Sequence, residues 1–329
     1  MIDFNDIELD SSRYQEMVRL IWDNYGKNNG CILHPHWEKF SDRDFSVISQ
    51  TGEFKSMSWM GGGFPETTDY QQPLPDWYDF HNHFANMDTI DVQSGIYQFS
   101  RIREFIKLTG KEISVIEIGG GYGRLAMFFL KVFGRNCHYV SVDFAPSSLL
   151  YAPQVMQQAF PDLKIGGTFD LEKDSTTPFV DYNFVSLPAW RTDLIPHEYY
   201  DLGVNIHSFQ EMQRKSVDYY SSVLWGALRN DGVLYVVNNP PEKDNWYTNH
   251  GYYNLQGLFR DIYAEKYPIG DDWEKICGVP TLERILLKDV PGIIDTDCSE
   301  CHHLYGMVDG SIETTCPKCG NKDEHEWKY

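Results

Sequence analysis

The sequence predicts an α/β fold: a mostly parallel sheet of seven strands flanked by helices, with a helical cap before it and a small cysteine-rich module after it. Three observations carry this reading. Between residues 111 and 290, short runs of branched apolar residues alternate with segments of helical periodicity, which calls for parallel strands joined by crossover helices. The stretch VIEIGGGYGRLAMFFL, residues 115–130, reads as strand, tight turn and helix, the frame that cradles a nucleotide. Four cysteines in two Cys-x-x-Cys pairs stand outside this alternation, near the C-terminal end of the sequence.

The elements follow in order. SSRYQEMVRLIWDN, residues 11–24, is an amphipathic helix that Ser11 or Ser12 can cap, with Tyr14, Met17, Val18, Ile21 and Trp22 on one face. Residues 26–90 are rich in turn signals (GKNNG, WMGGGFPETT, QQPLP) yet too aromatic for a disordered tail, and read as a cap. A helix spans 91–108, with Ile96, Phe99, Ile102, Phe105 and Ile106 at helical spacing. KEISVIEIGG is the first strand and YGRLAMFFLKVFG its helix; CHYVSVDF is the second strand and SSLLYAPQVMQQAF the next helix. DYNFVSLP, YYDLGVNIHS and DGVLYVVNN are strands three to five, with a helix over 209–229 between the last two. WEKICGVPT and LERILLKDV are read as a closing pair of strands.

Composition sets bounds. The chain has 329 residues, 42% of them hydrophobic, enough for one large domain and a smaller one. No run approaches the roughly 18 apolar residues of a membrane span, and no membrane insertion is expected. Asp3, Asp6, Glu8 and Asp10 stand where a signal peptide would be basic. A cytoplasmic, soluble protein is therefore expected. The net charge of −20 repels phosphates on average, so nucleic acid and anionic lipid are not expected partners. Cys31, Cys137 and Cys277 are scattered and read as buried thiols.

Which nucleotide the glycine turn would hold depends on its spacing. A dinucleotide fingerprint needs G-x-G-x-x-G, where the third glycine lets helix pack on strand. Counted from Gly119 that position is Arg124; counted from Gly121 it is Ala126, which leaves a weak match and an NAD(P)-linked oxidoreductase as a rival. E-x-G-x-G-x-G fits better, with Glu117, Gly119, Gly121 and Gly123, and Gly120 within the turn. This pattern resembles motif I of the class I S-adenosylmethionine-dependent methyltransferases, a Rossmann-like fold whose parallel strands end in an antiparallel hairpin. Glycines let the backbone approach the amino-acid part of that cofactor, and the resemblance puts Glu117 near its ammonium group. Asp143 ends the second strand twenty positions after Gly123, where a carboxylate accepts bonds from ribose hydroxyls.

IEIGGGYGRLA together with DLGVNIHSFQEM, residues 201–212, is similar to the family of sugar O-methyltransferases. The resemblance covers about residues 95–290. It implies S-adenosylmethionine as methyl donor and a sugar hydroxyl, of a nucleotide sugar or surface glycan, as acceptor. The chain departs from the family's pattern at VDFAPSSL and in its C-terminal cysteines. Residues at the carboxyl ends of the strands are candidates for the site. Phe144, Leu187, Pro188 and Asn205 join the cofactor side. His207 is the candidate base for the hydroxyl proton, with a hydrogen-bonded structural histidine as its alternative. Ser208 and Glu211 fit a capping box before the next helix, or bind the acceptor with Asn238, Asn239 and His250. The pairs His34/His36 and His81/His83 default to surface histidines, and with no Asp-Asp cluster a catalytic divalent cation is not expected.

The module 298–319 reads C-x₂-C-x₁₄-C-x₂-C, with Cys298, Cys301, Cys316 and Cys319. Four thiolates close a tetrahedral Zn²⁺ shell and leave no position for substrate, so a structural zinc ribbon is expected. From Asp295 onward eight acids oppose three lysines, which argues against nucleic acid and for packing, a homo-oligomer contact or a protein partner. The expected organisation is a cap over 1–90, a catalytic domain over 91–292 and the zinc ribbon over 293–329.

Overall fold

The structure, a computed structural model, describes residues 2–3, 11–24, 84–85, 89–106, 112–173, 179–212, 214–238, 255, 258–268 and 281–288, and four short strands between 293 and 324. Its centre is an eight-stranded sheet. In chain order after two paired two-residue strands, β1 (Ile2–Asp3) and β2 (Phe84–Ala85), come β3 (Ile113–Ile118), β4 (Cys137–Asp143), β5 (Ile165–Gly166), β6 (Phe184–Pro188), β7 (Tyr200–Ile206), β8 (Leu228–Asn238), β9 (Phe259–Lys266) and β10 (Leu282–Lys288). The spatial order is β5-β6-β4-β3-β7-β8-β10-β9. All pairings from β5 across to β8 are parallel, whereas β10 is antiparallel to both β8 and β9.

Five predicted parallel strands and the closing antiparallel pair are thus present, with two corrections. The short edge strand β5 makes the count eight rather than seven. The partner of β10 is FRDIYAEK, residues 259–266, and not 273–281; of that predicted strand, 273–280 lie outside the described residues. Four of the eight residues of this edge strand are charged, which hides it from pattern reading.

Strand alternation divides the core in two. Val115, Tyr139, Phe184, Val204, Tyr235 and Ile285 belong to one face, and Ile116, Val140, Val185, Leu234, Val236 and Leu286 to the other. The first face is covered by α2 (Thr89–Phe105) and α3 (Arg124–Phe133). Phe99 of α2 wedges against Phe128 and Phe129 of α3, with ring centroids 6.2 and 4.9 Å away. Lying between sheet and α2, α3 has six consecutive buried residues, Leu125–Leu130. Each of the five larger side chains among them contributes about 1.5–3 kcal/mol. On the second face, α6 (Arg214–Ala227) supplies Val217, Tyr220 and Leu224. The predicted helix over 209–229 is therefore shorter, preceded by a 3₁₀ turn at Phe209–Glu211.

The remaining helices are α1 (Ser11–Asn24), α4 (Pro146–Ala159) and the short α5 (Thr168–Lys173). The first rests on α4, and its Met17 is fully buried in the second core. No described helix is long and apolar enough to cross a membrane. Beyond the sheet, β11 (Ile293–Asp297) pairs antiparallel with β12 (Leu304–Val308), and β13 (Glu313–Thr315) with β14 (Lys322–Glu324).

The inserted strand β10 carries three buried charges, and each has partners. Glu283, fully buried, accepts hydroxyls from Tyr97 at 2.7 Å and Tyr235 at 2.6 Å, with Arg101 at 3.5 Å. Arg284 makes a forked pair with Asp261 of β9, both bonds 2.7 Å. Lys288 donates to the Leu228 carbonyl at 2.8 Å and lies over the Trp225 ring. Burial raises the Glu283 carboxyl pKa, and the two tyrosines and Arg101 pull it back. Tyr235→Phe removes one of those donors from a buried acid. It should lower stability by about 1–3 kcal/mol, read as a shift in urea midpoint with an unchanged slope.

Candidate functional site

Open parallel sheets bind ligands beyond the carboxyl ends of their strands, where the winding reverses. Here that point lies at β3, which has β4 on one side and β7 on the other. The chain leaves β3 through the predicted glycine turn. Gly119, Gly121 and Gly123 have φ of 77°, 55° and 86°, a region that costs other residues about 1–2 kcal/mol. Their surroundings differ. A Cβ on Gly119 would run into Ser208, one on Gly120 into Ser141 and Glu117, and one on Gly123 into Met156. A Cβ on Gly121 would meet nothing within 4 Å. Three of the four glycines serve the protein's own packing, and Gly121 borders open space.

Two carboxylates stand beside this turn. Asp143, at the exit of β4, accepts N–H groups from Gly121 at 3.0 Å, Phe144 at 2.7 Å and Ala145 at 2.9 Å. It ties the glycine turn to the neighbouring strand. Burial raises its carboxyl pKa, and those donors, with the Ser148 hydroxyl, lower it. Glu117 is 4% exposed and accepts the Tyr139 hydroxyl at 2.6 Å. Desolvation pushes its pKa up from 4.5 to about 7, against the Tyr139 bond and the charge of Arg124, which lower it.

The exit of β7 is a knot of side chains. Asn205, fully buried, donates to the Ile118 carbonyl at 2.9 Å and to Ser208 Oγ at 2.6 Å. Its carbonyl oxygen accepts the Phe209 N–H at 3.1 Å and the Asn238 amide at 2.8 Å. Two donors and two lone pairs are then all used. The amide predicted to touch cofactor instead joins the ends of β3, β7 and β8. Ser208 also departs from expectation. It makes no capping bond, and its hydroxyl donates to the Ile118 carbonyl at 3.0 Å. Asn238 is 3% exposed, and its oxygen accepts the Gln210 N–H at 3.2 Å. Read from the sequence as an acceptor contact, it is engaged within the knot.

His207 sits in the middle of this exit. Its φ is 55°, one of two positive values at described non-glycine residues, and its N–H donates to the Val237 carbonyl at 2.7 Å. Positive φ is uncommon for a residue with a Cβ, and here it falls at a strand exit. Of the other candidates, Phe144 is half-buried, Pro188 pairs with Asp143 in the sheet, and Leu187 is fully buried in the second core. Leu187 therefore has no side-chain surface for a ligand. The backbone of Glu211 lies in the 3₁₀ turn, and its side chain, Asn239, His250 and all four cysteines lie outside the described residues, as do the two His-x-His pairs. Among the described residues no three His, Cys, Asp or Glu side chains gather as a metal site.

Several participants escaped the sequence reading. Tyr139 and Ser141 line the turn from β4. Arg124 donates to Gln98 at 2.9 Å, and Gln98 donates to the Tyr267 hydroxyl at 2.8 Å. These pairs are 26 and 169 residues apart in sequence, so no local pattern announces them.

No family model matches the chain, and no curated protein matches it. Among solved structures it is similar to a 1,6-didemethyltoxoflavin-N1-methyltransferase of Burkholderia thailandensis with bound 1,6-didemethyltoxoflavin and S-adenosylhomocysteine. That pair shares 14% identity over 80% of this chain and 94% of the other, with a TM-score of 0.44. A geranyl diphosphate methyltransferase in complex with SAM is 9% identical over 60% of this chain and 85% of its own, with a TM-score of 0.45. The [4+2]-cyclase SpnF is 11% identical over 60% and 81%, with a TM-score of 0.43. Likeness at this level says nothing about activity.

The buried acid yields a stability prediction. Because the folded pKa of Glu117 is about 7 against 4.5 ordinarily, the folded state holds this proton more tightly than the unfolded chain. That contribution is full below about pH 4.5 and is lost as pH rises through about 7. Glu117→Gln should match the wild type at pH 4.5 and exceed it at pH 8 by up to about 3 kcal/mol. Urea unfolding at both pH values measures the difference.

Proposed function

We propose that this chain is an S-adenosylmethionine-dependent O-methyltransferase acting on a sugar hydroxyl, of a nucleotide sugar or surface glycan. The observation that carries the cofactor half is the open space over Gly121, at positive φ, with Asp143 on its N–H and the buried Glu117 against the adjacent Gly120. A ligand can lie against that backbone without meeting a side chain. Glu117 offers a carboxylate whose charge is costly until a cation arrives, which suits an ammonium group. Asp143, at the exit of β4, would offer its oxygens to a ribose. When bound, the cofactor supplies an electrophilic methyl group on a sulfonium.

The chain's own residues then have two tasks. The glycine turn and the knot around Asn205 hold the exits of β3, β7 and β8 in fixed relation, which aligns acceptor with donor and excludes water. His207, at the exit of β7, would take the proton of the sugar hydroxyl, which is otherwise a poor nucleophile at neutral pH, while the methyl passes from sulfur to oxygen and the thioether leaves. The sugar as acceptor rests on the resemblance of IEIGGGYGRLA and DLGVNIHSFQEM to the sugar O-methyltransferases.

A zinc ribbon completes the reading. The segments Cys298–His303 and Cys316–Asn321 each join two antiparallel strands, closing after Asp297↔Leu304 and Thr315↔Lys322. Each is six residues long with cysteine first and fourth. The two Cys-x-x-Cys pairs would supply four thiolates, the donor set of a closed, structural Zn²⁺ site. Its acidic surroundings favour protein packing over nucleic acid.

Three results test this. Incubation with S-adenosylmethionine carrying a ¹³C methyl group, over a panel of nucleotide sugars and glycan oligomers, should give a labelled sugar by mass spectrometry; label on other acceptors alone would overturn the sugar assignment. Gly121→Ala should fold with a loss of about 1–2 kcal/mol and lose S-adenosylhomocysteine binding in calorimetry. Metal analysis should find about one zinc per chain, lost in Cys316→Ser; a zinc-free wild type with full stability would remove the ribbon.

A further inference from the structure

Two constraints orient the His207 ring. Its backbone, at φ 55°, fixes where the side chain departs. The plane of the imidazole needs a second constraint, and that comes from Tyr267. The two rings meet edge to face, 6.1 Å apart at 75°, a geometry that aromatic pairs favour. Tyr267 is itself held on three sides. Its main chain donates to the Thr281 carbonyl at 2.8 Å. Its ring packs edge-on against Tyr97, 5.4 Å away, and Tyr97 is anchored by Glu283. Its buried hydroxyl accepts the Gln98 amide at 2.8 Å and has a second hydrogen bond with Ser94.

Gln98 is 0% exposed, and its two ends are assigned by chemistry. Arg124 only donates, so the oxygen of Gln98 must face it, at 2.9 Å. The amide nitrogen must then face Tyr267. Arg124 is the first residue of α3 and follows Gly123 directly. One side chain therefore spans from the helix behind the glycine turn to the tyrosine that flanks the candidate base.

We infer that Gln98 is a positioning residue: through Tyr267 it sets the orientation of His207 relative to the glycine turn. Its catalytic meaning rests on the role proposed for His207; its structural effect does not. The same bond explains why α2, which lies before the sheet in the chain and contributes no residue to the turn, belongs to the site.

The test uses the full chain and long-range ¹H–¹⁵N spectra of its histidines, with His207 assigned by its absence in His207→Gln. The wild type should give one sharp set of His207 signals. Gln98→Met, which keeps the volume and deletes both bonds, should shift or split that set. Tyr267→Phe, which keeps the ring and loses only the hydroxyl, should do the same. Gln98→Glu accepts from both Arg124 and the Tyr267 hydroxyl, and should return the signals toward wild type, a rescue that general loosening of the core would not give. S-adenosylhomocysteine affinity should stay unchanged in Tyr267→Phe, which leaves Arg124 its bond to Gln98. Unshifted His207 signals in Tyr267→Phe would overturn the inference, even if Gln98→Met fails to fold. Absence of S-adenosylhomocysteine binding to the wild type would instead strike the cofactor reading, because the histidine spectra are compared without ligand.

Discussion

The carbonyl of Ile118 ends β3, and the way it is satisfied organises everything around it. At a strand exit, main-chain groups run out of sheet partners, and a buried carbonyl left unpaired costs about as much as a lost hydrogen bond. Here it receives two donors, the Asn205 amide and the Ser208 hydroxyl. Those residues belong to β7 and the turn after it. Asn238 then ties in β8 through the oxygen of Asn205. Three strand ends are closed by one asparagine. Because Ser208 is drawn against the turn, Gly119 can carry no side chain. The first glycine of the motif thus answers to the protein's interior, before any ligand is considered.

Three buried acids show how the fold apportions cost. Glu283 is met by two tyrosine hydroxyls and an arginine, and Asp143 by three N–H groups. Glu117 has the Tyr139 hydroxyl and a more distant Arg124 charge. Burial raises all three carboxyl pKa values, but Glu283 and Asp143 face donors that the structure itself provides in number. Glu117 is the acid that the fold leaves least compensated, and its carboxylate lies against Gly120, the neighbour of Gly121 in the turn. A ligand cation there would supply what the protein withholds.

Much of this was legible in the sequence. Strands buried on both faces read as short runs rich in branched apolar residues, so β3, β4, β6, β7 and β8 are plain in the sequence, whereas the two-residue β5 gives no such run. Glu117, the glycines and Asp143 were found by spacing, because one strand-turn-helix unit and its neighbour carry them. What failed was non-local. FRDIYAEK has an edge strand's charges, and its pairing with β10 is visible only in three dimensions. S-x-x-E at Ser208 is a local signal for a cap, yet the hydroxyl's partner is 90 residues away. Asn205 looked like a ligand residue because polar residues at strand exits often are; its four bonds all go to the protein.

The same non-locality explains why the site depends on α2. A parallel sheet fixes its strand exits relative to each other, but it leaves side chains on those exits free to rotate. Rigid orientation has to come from elements packed across them. On the first face that element is α2, pressed onto α3 by Phe99 and linked to β8 and β10 through Tyr97 and Glu283. With its position set by these contacts, adjacent residues of one helix turn reach in two directions. Tyr97 reaches the buried acid of β10, and Gln98 reaches Arg124 and Tyr267. Neither could be replaced by an apolar residue of equal size without stranding a buried partner, because each bond satisfies a group that water cannot reach. The polar core on this face is thus continuous from the inserted strand to the glycine turn, and His207 lies at its end.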